Sequence, residues 1–174
     1  MSFKTVDVKG LQINPITMFS DEWPLVTVGN KENGFNTMTI SWGHIGHIWG
    51  KGSSDTPVLV VYIRPHRYTH AFMNDNDMFT VSILPSEYKE TLAYLGKVSG
   101  RDEDKVSKAG LTPVFGYGTT YFHEAKLVFV CRKLYQSPIK EDGFADKDLV
   151  ERVYPEKDFH TMYIGEIVQV LACE

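Results

Sequence analysis

Six runs rich in β-branched and aromatic residues follow one another along the chain: Val26–Asn30, Phe35–Trp42, Val58–Arg64, Met78–Leu84, Phe122–Leu134 and Met162–Leu171. Parallel neighbours need a crossover of a dozen or more residues, usually a helix, whereas antiparallel neighbours need only a turn. Most of these runs lack such a helix between them, so the chain is predicted to be mainly β, an antiparallel barrel rather than a doubly wound parallel sheet. Lys31-Glu32-Asn33-Gly34 reads as a hairpin turn. Three short helical pieces, Thr69–Asn74, Glu87–Leu95 and Asp102–Ala109, decorate the sheet, the last stopped by Gly110 with Pro113 beyond it.

Faces can be assigned on two of the runs. All six residues of Val58–Ile63 are apolar, so both faces of that strand require cover, one from the barrel interior and the other from a helix or a partner subunit. In Phe35–Trp42, Thr37, Thr39 and Ser41 share one side and Met38, Ile40 and Trp42 the other, giving one polar stripe. With 174 residues, 43% of them hydrophobic, a single domain over residues 1–174 is expected. Lys plus Arg (18) against Asp plus Glu (22) leaves a net charge of −4, whose field would repel a phosphate backbone, so nucleic acid is disfavoured as a partner. Cys131 and Cys173 form neither a metal spacing nor a disulfide framework, which fits a reducing cytoplasm. No apolar stretch approaches the roughly 20 residues needed to cross a bilayer, and MSFKTVDVKG lacks an apolar signal core, so a cytoplasmic protein without a membrane partner is expected.

The chemistry concentrates where the apolar run PVLVVYI ends. Of only five arginines, Arg64 and Arg67 stand three residues apart in RPHRYTHAF. Pro65 pushes Arg64 toward extended geometry, and Thr69 is placed to cap the short helix that follows. A helix start offers free N–H groups and partial positive charge, and guanidinium forks match phosphate, so the segment suits a ligand phosphomonoester. Surface ion pairs with Asp75, Asp77 or similar carboxylates are the alternative use of the same arginines. A second cluster, Lys97-Val98-Ser99-Gly100-Arg101, could close over a phosphate or ribityl chain, or serve as ordinary dipole chemistry beside the acidic helix start Asp102-Glu103-Asp104. His44 and His47 form H-x-x-H and His66 and His70 are four apart, but Gly43, Gly46 and Gly50 oppose a helix at the first pair, and no metal site is expected. Trp42, Trp49 and Ile45 to Ile48 read instead as a glycine-rich loop with aromatic anchors.

FNTMTISWG (Phe35 to Gly43), VYIRPHRYTHAF (Val61 to Phe72), FTVSIL (Phe79 to Leu84), GKVSGRDEDK (Gly96 to Lys105), GLTPVF (Gly110 to Phe115) and HTMYIGEIV (His160 to Val168) span most of the chain. In that order they resemble the flavin reductase-like, FMN-binding split-barrel family, in its flavoredoxin-type branch. The resemblance implies a six-stranded antiparallel Greek-key split barrel with short flanking helices, usually a homodimer, holding FMN at the barrel edge near the subunit interface. It implies that Asn36, Thr37, Met38, Thr39 and Ser41 run beside the isoalloxazine, with Trp42 adjoining. Arg64, Pro65, Arg67, Tyr68 and Thr69 would take the ribityl phosphate, and Lys97, Ser99, Gly100 and Arg101 would close over the same end. His160 and Tyr163 resemble positions on the flavin's exposed side, as candidates for a second substrate, although their odd spacing puts them on opposite faces of a regular strand and one of them can be structural.

The implied activity passes electrons from NADH or NADPH through FMN to a second acceptor, with no side chain as nucleophile or acid–base catalyst and with Thr39, Ser41 and nearby backbone N–H groups as donors to the ring. Its alternative is a non-enzymatic FMN electron-transfer protein reduced by a protein partner. A barrel holding another anion, and a neighbouring split barrel using pyridoxamine phosphate, are further readings. GKGSSDT, Gly50 to Thr56, is an insertion relative to the family pattern and bears on which nicotinamide or acceptor is used.

Overall fold

The computed structural model describes residues 2–50 and 56–174. Most of the Gly50–Thr56 insertion, Lys51 to Asp55, lies outside the described residues. The strands are β1 (Phe3–Thr5), β2 (Leu25–Asn30), β3 (Gly34–Thr39), β4 (Gly43–His47), β5 (Pro57–Ile63), β6 (Met78–Ile83), β7 (Pro113–Gly116), β8 (Thr119–Phe122), β9 (Leu127–Pro138) and β10 (Thr161–Cys173). The helices are α1 (Pro15–Ser20), α2 (Tyr68–Asp75), α3 (Lys89–Lys97), α4 (Lys105–Lys108) and α5 (Lys147–Val153).

One antiparallel sheet runs β3-β2-β6-β9-β10-β5-β4, with β1 added on β10, and β7-β8 form a separate hairpin. The mainly β antiparallel architecture with short helices is the one expected. The sheet has eight strands rather than six, because two short segments join it. One is β1. The other is β4, which replaces the glycine-rich loop expected around Ile45: its residues pair with Val61 to Pro57 of β5 along one edge only, so sparse side chains suffice. The run Phe122–Leu134 divides in two, since Ala125 N–H bonds back to Phe122 O in a turn between β8 and β9. Helix α5 escaped the sequence reading because it buries only Val150; the Asp146 side chain, accepting from the N–H groups of Asp148 and Leu149, starts it.

The hairpin at Lys31–Gly34 forms as expected, with Asn30 Oδ1 accepting from the N–H groups of Glu32 and Asn33 at 3.0 and 2.9 Å. The core gathers Val26, Val28, Leu59, Val61, Ile63, Phe79, Val81, Phe129 and Tyr163 between the curved halves of the sheet. That curvature needs close approach at Gly165, beside a register shift between β9 and β10. A Cβ at Gly165 would stand 2.5 Å from Phe79 Cζ and 2.9 Å from Cys131 Cβ, so the Phe79 ring fills the space a side chain would take.

The outer face of β5 is covered without a partner. Val58 and Val60 are 4% and 3% exposed and cluster with Ile164, flanked by Tyr62 and Met162. The all-apolar strand therefore carries no demand for a second subunit. No helix among the described residues is long and apolar enough to cross a membrane.

Candidate functional site

Where β5 ends, Arg67 N–H bonds to Arg64 O at 3.1 Å and closes a turn through Pro65 and His66. Helix α2 begins at once, with Arg67 rather than Thr69 in the N-cap position. Thr69 is the second residue of the helix, fully buried, where its hydroxyl accepts from Asn36 Nδ2 at 2.7 Å and pins α2 to β3. Helix α3 covers the other flank of β3, with Thr39 Oγ1 donating to Leu92 O at 2.6 Å and Arg67 Nη2 donating to Gly96 O at 2.8 Å.

Two cavities open along this corner and share Met38 and Arg67. The smaller, about 120 Å³, is enclosed by Asn36, Arg67, Tyr68, Thr69, Ser99, Gly100 and Arg101, together with His66, Lys105 and the apolar Leu95 and Val98. Positive groups dominate it. Arg101 lies over the Tyr68 ring, 4.7 Å from its centroid, and donates to His66 O at 3.1 Å. Ser99 Oγ accepts from Arg101 N–H, shaping the loop. The larger cavity, about 220 Å³, is lined by Thr39, Ile40, Ser41, Trp42, Tyr62, Arg64 and His160. Its rings come from Trp42, Tyr62 and His160, whereas the first is small and basic.

The structure thus brings together most of the residues singled out in the sequence, and separates five of them from the cavities or from their expected tasks. Thr37 points inward, its hydroxyl 2.8 Å from Thr27 Oγ1 and 3.1 Å from Val26 O, so it is a strut between β2 and β3. The polar stripe does not line the site as a unit, because Asn36 and Met38 occupy the opposite face of the strand and carry the wall. Thr39 does reach the larger cavity, but its hydroxyl proton is committed to Leu92 O, leaving it an acceptor rather than the expected donor. Pro65 shapes the turn and Lys97 is exposed; neither lines either of these two cavities. Tyr163 is fully buried in the core, donating to Asn74 Oδ1 at 3.0 Å, with its hydroxyl pushed by burial up to about 12, and it is structural. Val153 at the end of α5, Tyr154, Asp158 and, from β5, Tyr62 are the residues at this end that the sequence did not single out.

Arg64 answers to both uses anticipated for it. Its guanidinium lines the larger cavity but pairs with Asp158 at 2.5 Å, donates to Val153 O at 3.1 Å and lies 5.1 Å from the Tyr154 ring centroid. The bond to Arg64 holds the Asp158 carboxyl below the usual carboxylate range. The ion pair is real, though its partner is Asp158 rather than Asp75 or Asp77. Arg67 makes no ion pair among the described residues and keeps guanidinium N–H groups available in both cavities.

His160 precedes β10 and is 8% exposed, with Nδ1 2.9 Å from the Tyr154 hydroxyl and its ring tilted against Trp42 at 4.6 Å between centroids. Burial, aided by the Arg64 charge, lowers its pKa to about 4, so the imidazole is neutral at pH 7 and offers hydrogen bonding without charge. Its titration predicts a pH effect. Between about pH 6.5 and 4 the unfolded chain binds a proton that the folded one refuses, so stability falls as pH falls through that window, by on the order of 3 kcal/mol in total. His160→Gln should show a correspondingly flatter melting profile over the same range; identical profiles would remove His160 as the titrating group.

His44 and His47 lie three apart on β4, hence on opposite faces, and among the described residues no group of three His, Cys, Asp or Glu could hold a metal.

The sheet edge thus carries a small basic cavity beside a larger one walled in part by Trp42, Tyr62 and His160. The chain belongs to the flavin reductase like domain family, whose model matches residues 18–174. Its fold is that of the flavin reductase-like split barrels. Flavoredoxin of Desulfovibrio vulgaris (Miyazaki F) superposes with a TM-score of 0.66 at 24% identity, over 97% of this chain and 77% of that one. Flavoredoxin from Methanosarcina acetivorans gives 0.65 at 19%, over 94% and 75%. Nitrilotriacetate monooxygenase component B from Bacillus cereus gives 0.64 at 18%, over 94% and 82%. In sequence, the chain is 29% identical over 94 residues to an uncharacterized protein of Aeropyrum pernix, a match that takes in 53% of this chain and 34% of that protein.

Proposed function

We propose that this domain binds FMN and works as a flavin oxidoreductase, taking electrons from NADH or NADPH and passing them to a second acceptor. The observation that carries this reading is the position of Arg67, whose guanidinium lines both cavities and is unpaired by any carboxylate among the described residues. A phosphomonoester fits the smaller cavity, where Arg67, Arg101, Ser99 and the first N–H groups of α2 converge. Gly100 lets its loop pack directly against the cavity wall, since a Cβ there would stand 2.2 Å from Asn36 Oδ1.

Bound FMN supplies the redox chemistry, accepting hydride and releasing electrons. The chain's own residues position and shield it. Met38, Ile40 and Trp42 offer apolar surface along the larger cavity, Ser41 and neutral His160 offer hydrogen bonds, and Arg64, held by Asp158, contributes a fixed positive charge at the cavity wall. No nucleophile or acid–base pair is needed. Trp42 is 42% exposed, so the larger cavity is open on the side where the nicotinamide donor or the acceptor would approach.

The likeness in fold to two flavoredoxins favours a second reading, an FMN electron carrier reduced by a protein partner. A homodimer belongs to either reading. Ile16, Trp49 and Tyr135 are 74%, 58% and 45% exposed, and a second copy would cover such surface. A cytoplasmic setting suits the free thiols of Cys131 and Cys173. Visible spectra of the protein with FMN, followed by anaerobic NADH and NADPH, test the proposal. Bleaching by either nucleotide is expected for the enzyme; a yellow protein indifferent to both is the carrier; and absence of flavin binding overturns both.

A further inference from the structure

Lys105 opens α4 and is 3% exposed, yet it is a lysine with no ion pair among the described residues. Its ammonium donates to Leu95 O at 3.1 Å and Val98 O at 2.8 Å. Both carbonyls belong to the C-terminal end of α3, where helical carbonyls lack partners and the dipole favours a cation. An ammonium has three N–H groups. The third has no protein acceptor among the described residues, and Lys105 lines the smaller cavity beside Arg67.

Two of the neighbouring carboxylates are engaged elsewhere. Glu103 accepts from Tyr94 Oη and pairs with Lys108, and Asp104 Oδ1 accepts from Ser107 N–H in the N-cap of α4. Asp102 stands in the same exposed turn. Across the cavity Lys105 faces Arg67, Arg101, His66 and Tyr68, which supply no negative charge. A buried ammonium left this way is costly unless an anion accompanies it.

We propose that Lys105 is a positioning and selectivity residue for the ligand's phosphate: its buried ammonium ties the end of α3 to the loop Val98 to Arg101 and supplies, with Arg67, the charge that distinguishes a dianionic headgroup from a neutral one. The inference rests on the proposed FMN binding. Burial, and secondly the Arg67 charge, already lower the Lys105 pKa to about 8 in the free protein. A phosphate beside it would raise that value, so binding takes up a proton above about pH 8 and affinity falls as pH rises, by up to tenfold per pH unit.

The test is flavin fluorescence titration with FMN and with riboflavin between pH 6.5 and 9.5, on the wild-type protein, Lys105→Gln and Lys105→Met. Wild type should prefer FMN, and that preference should decline above about pH 8 while riboflavin affinity stays level. Lys105→Gln keeps N–H donors for the two carbonyls but no charge; it should melt near wild type and cut the FMN-to-riboflavin preference at least roughly tenfold, with no remaining drop above pH 8. Lys105→Met, which leaves both carbonyls unpaired, should also lose thermal stability. If wild type binds neither flavin, or both alike at every pH, the FMN-phosphate reading itself fails. If wild type discriminates and Lys105→Gln discriminates equally, or its pH drop persists, only the role of Lys105 is overturned. Should both variants fail to fold, a wild-type preference for FMN that does not decline above pH 8 overturns it alone.

Discussion

Replacing Arg67 by alanine is expected to weaken FMN binding roughly 10- to 100-fold while changing riboflavin affinity by less than about threefold, because a charge-assisted hydrogen bond contributes about 1.5–3 kcal/mol and only FMN carries the phosphate. Arg67 has one other task, donating to Gly96 O at the end of α3, which accounts for the small loss allowed for riboflavin. Arg67→Lys should fall between, since an ammonium restores charge but not the planar fork. Arg64→Ala should behave differently. Its guanidinium pairs with Asp158 and lies against Tyr154, so its loss frees a carboxylate beside the larger cavity and should weaken both flavins together. Parallel isothermal titrations of the two ligands on the two variants decide it; equal losses of FMN and riboflavin in Arg67→Ala would take the phosphate away from Arg67.

This difference between two arginines three residues apart marks the limit of what the sequence could say. The strand runs and the Lys31–Gly34 turn were legible because alternation and turn chemistry are local, and so was the anion-binding character of the corner, because arginines at a strand end adjoining a helix start are uncommon in this chain. Which arginine is free was not legible. Asp158 lies 94 positions from Arg64, and only the β5–β10 pairing brings the segment before Thr161 alongside Ile63. Tyr163 shows the same limit. Its spacing from His160 said that one of the two faced away, and the register of β10 on β5 turns Tyr163 to the core. Thr37 and Thr39 looked alike as a polar stripe, but long-range partners, Thr27 on one and Leu92 O on the other, had already used their hydroxyls. Lys105 gave no signal, since a lysine in the first turn of a short polar helix reads as solvent-exposed until α3 is packed over it.

The same packing makes Gly100 the position where one methyl group should matter most. A Cβ there would stand 2.2 Å from Asn36 Oδ1 and 3.3 Å from Tyr68 Cδ1. Neither neighbour yields easily. Asn36 is 5% exposed and its amide donates to the buried Thr69 hydroxyl, while Tyr68 is wedged between Arg101 and Phe72. Gly100→Ala must either break the Asn36–Thr69 bond or lift the loop off the cavity. Leaving buried polar groups unpaired costs about 1–3 kcal/mol, and lifting the loop withdraws Ser99 and Arg101 from the anion, so FMN affinity should fall at least roughly tenfold and more than riboflavin affinity. A double-mutant cycle separates contact from general damage. In an Asn36→Ala background the obstructing oxygen is gone, and Gly100→Ala should then cost little further FMN affinity, giving a coupling of about 1 kcal/mol or more between the two positions. Additive losses would mean that Gly100 answers to the backbone conformation of its loop rather than to Asn36, and that the loop does not close on β3 when the ligand binds.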